Sequence, residues 1–170
     1  MSTKTLNKVI LREPRMEDGG QIWSLVKDTG VLDLNSSYSY LMLCEFFKET
    51  CVVAEQDGEV VGFISAYLLP TNQDTIFVWQ VGVAASQRRK GLAGQMLEEL
   101  LQRKACDKVR YLATTISPSN RPSQSLFQAL ARNMNTECEV TEGFPKELFP
   151  GGGHESEMMY QIGPFKRKRI

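Results

Sequence analysis

Apolar residues along this chain recur at two spacings, every second position or every third and fourth, and the two alternate from end to end. Val9–Glu13 predicts a short strand. Pro14 breaks it, and Ile22, Trp23, Leu25 and Val26 then mark the inner face of a helix that Gly30 ends. Residues 31–37, VLDLNSS, fit neither spacing. Tyr38–Lys48 predicts a second helix. Its apolar residues Tyr38, Leu41, Met42, Cys44 and Phe46 do not share one narrow stripe, which predicts burial on two sides. Cys51–Glu55 and Glu59–Leu69 predict a hairpin around Asp57-Gly58. Pro70–Asp74 reads as a loop. Thr75–Val83 reads as a strand apolar on both faces, through Ile76, Phe77, Val78, Trp79, Val81 and Val83.

The second half repeats the alternation. Leu92–Arg103 has Leu92, Met96, Leu97, Leu100 and Leu101 at helical spacing. Val109–Ile116 predicts a strand, and Ser117-Pro118-Ser119-Asn120 breaks it. Ser119 or Asn120 can cap a helix with Pro122 in its first turn and Leu126, Phe127, Leu130 and Ala131 inside. Glu137–Thr141 predicts a strand, Gly143–Gly153 a long loop, and Glu155–Ile162 a closing strand. This order predicts an α/β (α+β) sandwich.

Composition narrows the class. At 170 residues and 42% hydrophobic, residues 1–170 suit a single domain with a proper core. Formal net charge is zero, so nothing global draws the chain to nucleic acid or membrane. Cys44, Cys51, Cys106 and Cys138 form no CxxC pair and read as buried thiols of a reducing, cytoplasmic compartment. The polar start, MSTKTLNK, predicts no secretion signal, and no run of eighteen apolar residues predicts a membrane span.

The chemistry concentrates after Val83. A strand there feeds a helix through AASQRRKG, which sets Arg88, Arg89 and Lys90 against Gly91. Free N–H groups at such a helix start, with the dipole and the arginines, can hold a pyrophosphate. The spacing is neither the dinucleotide fingerprint nor the P-loop. The bland alternative is an ordinary strand–helix connection.

Arg88-x-x-Gly91-x-Ala93 resembles the R/Q-x-x-G-x-G/A loop of the GCN5-related N-acetyltransferases, as does the element order across roughly residues 9–162. The resemblance implies a mixed, twisted central sheet flanked by helices and split next to the acetyl-CoA strand. It implies acetyl-CoA as co-substrate, held by Val81, Gly82, Val83, Arg88, Arg89, Lys90, Gly91, Leu92, Ala93, Gly94 and Asn120, with no metal. The N–H of Val81 or Val83 would face the thioester carbonyl, and Gly82 would let a neighbouring chain approach closely. Relatives are usually dimers, which implies a homodimer. The segments GVLDLNSSYSYLMLC (30–44), DTIFVWQVGV (74–83), TTISPSN (114–120) and GGGHESEMMYQIGP (151–164) resemble one branch of that family. That branch acetylates the 4-amino group of L-2,4-diaminobutyrate in ectoine synthesis.

Such a reaction must strip a proton from an amine of pKa about 10, which costs about 4 kcal/mol at pH 7. Candidates to take it are Asp33, His154, Glu155 and Glu157, with Glu157 favoured as the more buried carboxylate. His154 and Glu157 would face opposite ways on a regular strand, so both serve only if a bulge intervenes. The family's usual thiolate acid is a tyrosine seven residues after the helix-opening asparagine. Phe127 stands there instead, leaving Tyr38 or solvent. Asp33, Tyr38, Trp79, His154 and Glu157 are the candidate substrate contacts. Against these stand plainer roles: a turn cap for Asp33, a surface residue for Tyr38, core for Trp79 and a loop histidine for His154. The basic end of the chain, residues 165–170, reads as a solvated tail. Two further functions stay open: acetylation of another small diamine, amino acid or protein amine, and a non-catalytic CoA sensor.

Overall fold

A computed structural model describes residues 8–166, so most of the polar start and the last four residues of the basic tail lie outside the described part. The elements are β1 (Ile10–Arg12), α1 (Gly19–Thr29), α2 (Ser37–Phe46), β2 (Val52–Gln56), β3 (Glu59–Leu69), β4 (Asn72–Val83), α3 (Leu92–Gln102), β5 (Tyr111–Ile116), α4 (Arg121–Asn133), β6 (Glu137–Phe144) and β7 (Glu157–Gly163). Among the described residues, seven strands form one sheet in the order β1-β2-β3-β4-β5-β7-β6. β4 and β5 run parallel, from Thr75 opposite Tyr111 to Val78 opposite Thr114. The β1–β2, β2–β3, β5–β7 and β6–β7 pairs are antiparallel. The sheet is therefore mixed and the chain α+β, as its alternation of elements implied. No helix among the described residues is long and apolar enough to cross a membrane.

Two compact units divide the chain. One holds the residues up to Ala66 together with Gln80–Cys106, the other Tyr67–Trp79 and the residues from Asp107 onward. In the first unit, Ile22 and Val26 of α1, Tyr40, Leu43 and Cys44 of α2, and Cys51, Val53 and Phe63 of the strand region make one buried cluster. Tyr40 meets Phe63 edge-on at 6.2 Å. Arg12 clamps this unit at β1, donating to both carboxylate oxygens of Asp18 at 2.7 and 2.9 Å and to Glu55 at 2.6 Å. Burial alone would push the Asp18 carboxyl up, but hydrogen bonds from Arg12 and from the Arg15 N–H hold it below its usual value.

Two expectations about the first half need correction. α2 is not buried on two sides: Tyr38, Leu41, Met42 and Phe46 lie on its exposed side, and only Tyr40, Leu43 and Cys44 are buried. The broad apolar pattern came from an apolar face left in the open. Nor does apolar character on both faces of β4 mean burial on both. From Ile76 to Gly82 the even positions Ile76, Val78, Gln80 and Gly82 are buried, while Trp79 is 44% exposed. A polar residue thus faces inward and the tryptophan outward, because the strand alternates whatever its composition.

In the second unit, Leu112, Ile116, Phe127, Leu130, Tyr160 and Ile162 are buried. β6 is longer than expected and runs to Phe144. Its pairing with β7 shifts between Glu142 and Phe144. Gly143 makes that shift possible, since a Cβ there would lie 2.4 Å from the Glu157 carbonyl oxygen. β7 begins at Glu157 rather than Glu155, and a short helical turn, Lys146–Leu148, interrupts the expected loop. Cys44, Cys51, Cys106 and Cys138 form no disulfide. Burial pushes the Cys44 thiol up to about 12 and the Cys51 thiol up to about 11.

Candidate active site

The glycine turn is built from its two anchored ends. As β4 stops, the Ala84 N–H donates to the Val61 carbonyl at 2.9 Å. Gln87 is buried, and its Nε2 donates to Gln56 Oε1 at 2.7 Å, fixing the turn to β2. Leu92, Met96, Leu97, Leu100 and Leu101 bury one face of α3 and fix the other end. Between these anchors Arg88, Arg89 and Lys90 are all exposed. Arg89 (φ +63°) and Gly91 (φ +77°) both adopt left-handed backbone, which glycine takes without cost and arginine does not. Gly91 is the N-cap of α3, and the first bond across it runs from the Gln95 N–H to the Gly91 carbonyl at 3.1 Å. The N–H groups of Leu92, Ala93 and Gly94 therefore precede the helix ladder and aim out of its positive end. Three N–H groups, a helix dipole and three adjacent cations are an arrangement that could hold an anion. Gly82 does not do what was expected of it. A Cβ there would meet Leu32 at 3.8 Å and Leu25 at 3.9 Å, which is ordinary contact.

The first unit also carries Asp33 and Tyr38. Ser36 caps α2, its Oγ accepting from the Ser39 N–H at 3.3 Å. That cap leaves Tyr38 on the first turn, 69% exposed. Asp33 is exposed, but its backbone is pinned from below. The Gln80 Nε2 donates to the Asp33 carbonyl at 2.7 Å, and the Tyr40 hydroxyl donates to Gln80 Oε1 at 3.0 Å. The Asn35 N–H reaches the Tyr40 oxygen at 3.4 Å. Asn35 Nδ2 is buried with no hydrogen-bond partner among the described residues. None of Gln80, Tyr40 and Asn35 was singled out from the sequence. The available signal was a glutamine between Trp79 and Val81 in an otherwise apolar strand.

The second unit holds Trp79, Asn120, His154 and Glu157. Asn120 caps α4, its Oδ1 accepting from the Ser123 N–H at 3.3 Å. Ser119 Oγ donates to the Glu155 carboxylate, which ties the approach to α4 to the last loop. Gly151, Gly152 and Gly153 all have positive φ, and the chain then delivers His154 onto the Phe149 ring at 3.7 Å with 7° between planes. His154 Nδ1 lies 2.6 Å from the Glu155 carbonyl oxygen. A carbonyl only accepts, so Nδ1 carries the proton, and in the neutral ring Nε2 bears the lone pair. The opposite-face objection to His154 and Glu157 falls away, because His154 precedes β7 and strand alternation does not reach it. Glu157 is half-buried at the first position of β7, opposite Phe144 beyond the bulge. Phe127 is buried and brings no ionisable hydrogen to the reaction.

Elsewhere, a cleft of about 480 Å³ is lined by Arg12, Pro14, Arg15, Cys44 and Lys48 among others, and by no predicted site residue. The Arg12 guanidinium there is already engaged by Asp18 and Glu55. Among the described residues no cluster of three or more His, Cys, Asp or Glu could hold a metal ion.

Comparison with known proteins adds to this geometry. The sequence model of the Acetyltransferase (GNAT) family matches residues 21–131. The L-2,4-diaminobutyric acid acetyltransferase of Marinococcus halophilus is 52% identical over 163 residues, covering 96% of this chain and 94% of the relative. That of Bordetella parapertussis is 46% identical, covering 91% of this chain and 84% of its own. Among solved structures, diaminobutyrate acetyltransferase EctA from Paenibacillus lautus is in complex with its substrate L-2,4-diaminobutyric acid and coenzyme A. It superposes with a TM-score of 0.92 at 47% identity, covering 96% of this chain and 99% of that one. On the family match and these identities, the chain belongs to the Acetyltransferase (GNAT) family.

Proposed function

We propose that this chain transfers the acetyl group of acetyl-CoA to the 4-amino group of L-2,4-diaminobutyrate, giving N4-acetyl-L-2,4-diaminobutyrate for ectoine synthesis. The observation that carries this is the full-length likeness to an enzyme holding that substrate and coenzyme A. Residues 1–170 act as one acetyltransferase domain. The anion cradle at Arg88–Gly94 takes the diphosphate, with Asn120 as a further contact to the cofactor. The N–H of Val81 or Val83 donates to the thioester oxygen as it becomes an oxyanion, a charge that fixed backbone donors stabilise without reorganising.

Asp33 and Tyr38 bind the acceptor: the carboxylate attracts an ammonium and the phenol donates to a carboxylate. Trp79 supplies an apolar wall. Glu157, with His154 as the alternative, takes the proton from the reacting ammonium, directly or through water. The freed nitrogen attacks the carbonyl carbon and a C–N bond forms; that nitrogen then gives up its second proton to water, and collapse of the oxyanion breaks the C–S bond. The departing thiolate takes its proton from Tyr38 or from water, since Phe127 has none to give. The same reading makes the enzyme a cytoplasmic homodimer active in osmotic stress. Four cysteines outside any disulfide, three of them buried, support the reducing compartment.

The test is release of free thiol from acetyl-CoA with L-2,4-diaminobutyrate, ornithine, lysine and a peptide panel. Preferred turnover of diaminobutyrate is expected. Preference for another amine would move the substrate within the family, and no turnover with any amine would favour a CoA sensor.

A further inference from the structure

We infer that Gln80 is a positioning residue that holds the acceptor loop in register with the strand that presents the thioester. The inference rests on the activity proposed above. Gln80 is 5% exposed, and its side chain lies on the buried face of β4 with Val78 and Gly82. A primary amide has one accepting oxygen and two donor hydrogens. Here both ends are used: Oε1 accepts from the Tyr40 hydroxyl at 3.0 Å, and Nε2 donates to the Asp33 carbonyl at 2.7 Å. Its own N–H is also fixed, donating to the buried Ser65 Oγ at 3.0 Å.

Tyr40 is fully buried and holds the same loop at a second point, the Asn35 N–H. Two buried side chains, bonded to one another, thus grip the backbone on both sides of Leu34. The next residue after Gln80 is Val81, whose N–H is one of the two assigned to the thioester carbonyl. One side chain and one peptide unit therefore separate the Asp33 carbonyl from that donor. An apolar side chain of the same size would fill the space without the cost of burying an amide. What the amide adds is direction, because donor and acceptor can each be met in only one orientation. Gln80 touches neither substrate in this account; it acts through the loop that carries Asp33.

The experiment is steady-state kinetics and calorimetric binding on the full chain, with melting temperature measured in parallel. It uses whichever amine the wild-type enzyme acetylates, so failure of wild type on diaminobutyrate would count against the proposed substrate and not against Gln80. In Gln80→Met the acceptor KM rises about tenfold, while the acetyl-CoA KM and Kd stay within about twofold of wild type. Gln80→Glu keeps the acceptor for Tyr40 but turns a carboxylate toward the Asp33 carbonyl. Its acceptor affinity is weak at pH 8 and recovers toward wild type as the pH falls and the buried carboxyl takes up a proton. If Gln80→Met does not fold, Tyr40→Phe, which removes one oxygen, must show the same split between the two substrates. Unchanged acceptor constants, or an equal loss toward acceptor and acetyl-CoA, would overturn the role.

Discussion

The turn ending at Gly91 and the segments carrying Asp33 and His154 are built in opposite ways. The turn presents backbone: its donors are N–H groups of Leu92, Ala93 and Gly94, and its shape depends on left-handed residues at 89 and 91. The acceptor segments present side chains, each oriented by a different partner. Gln80 pins the Asp33 backbone, Ser36 caps the helix bearing Tyr38, and Phe149 stacks beneath His154. Backbone donors at a helix start suit any diphosphate and need only a glycine, a helix and some positive charge. A side-chain site must instead be aimed, and the support beneath Asp33 is Gln80, 47 residues away, which carries no local mark. On the proposed function the turn is accordingly generic, and the segments carrying Asp33 and His154 are where one substrate would be told from another.

Substitutions at Glu157, Asp33 and Gly91, with His154→Gln beside the first, probe that contrast. Glu157→Gln carries the largest expected effect, a fall in kcat on the order of 10²–10⁴ with the acetyl-CoA KM unchanged. Rapid-quench or thiol-release assays measure it, and a larger loss in His154→Gln would pass the proton-accepting role to the histidine. Asp33→Ala should raise the diaminobutyrate KM by about 10–100-fold, the scale of a lost hydrogen bond to a charged group. CoA titration should be untouched, and normal kinetics would return Asp33 to a turn role. Gly91→Val should do the converse and raise the acetyl-CoA KM about tenfold, because a β-branched residue at φ +77° costs about 1–3 kcal/mol and forces the N–H array to shift.

Arg12→Met should alter neither KM but lower stability by about 3 kcal/mol, since it strands the buried Asp18 carboxylate. The pH dependence follows from the sign of the Asp18 shift. Its folded pKa is depressed, so its stabilisation is present above its unfolded value of about 3.9 and is lost as pH falls through the folded value. Arg12→Met removes the largest of the contributions that lower that pKa while burial still opposes the charge, so chemical denaturation should show the gap between variant and wild type narrowing below about pH 4.

What could be read from the sequence follows the same division. Glu59–Leu69 stands as expected, because Asp57-Gly58 dictates a tight turn between β-rich runs. Gly30 and Asn120 end and start their helices as their chemistry requires. The register shift at Gly143 was not visible, because it depends on the Glu157 carbonyl from a strand that starts fourteen residues later. The exposed apolar face of α2 was misread as buried, because apolar spacing records which residues are hydrophobic and not what covers them. For the site, the placement of Arg88–Gly94 at a strand-to-helix turn is legible from one short motif. The Gln80–Tyr40–Asp33 linkage was not, since its hydrogen bonds join positions 40 and 47 residues apart.

The most direct test of the account is calorimetric titration of wild type and Gly91→Val with coenzyme A and with pantetheine, which lacks the diphosphate. If the N–H groups around Gly91 clasp that diphosphate, wild type binds coenzyme A at least about tenfold more tightly than pantetheine, and the variant loses most of this margin while binding pantetheine as before. Equal affinity of wild type for the two ligands, or the same margin in both proteins, would contradict it.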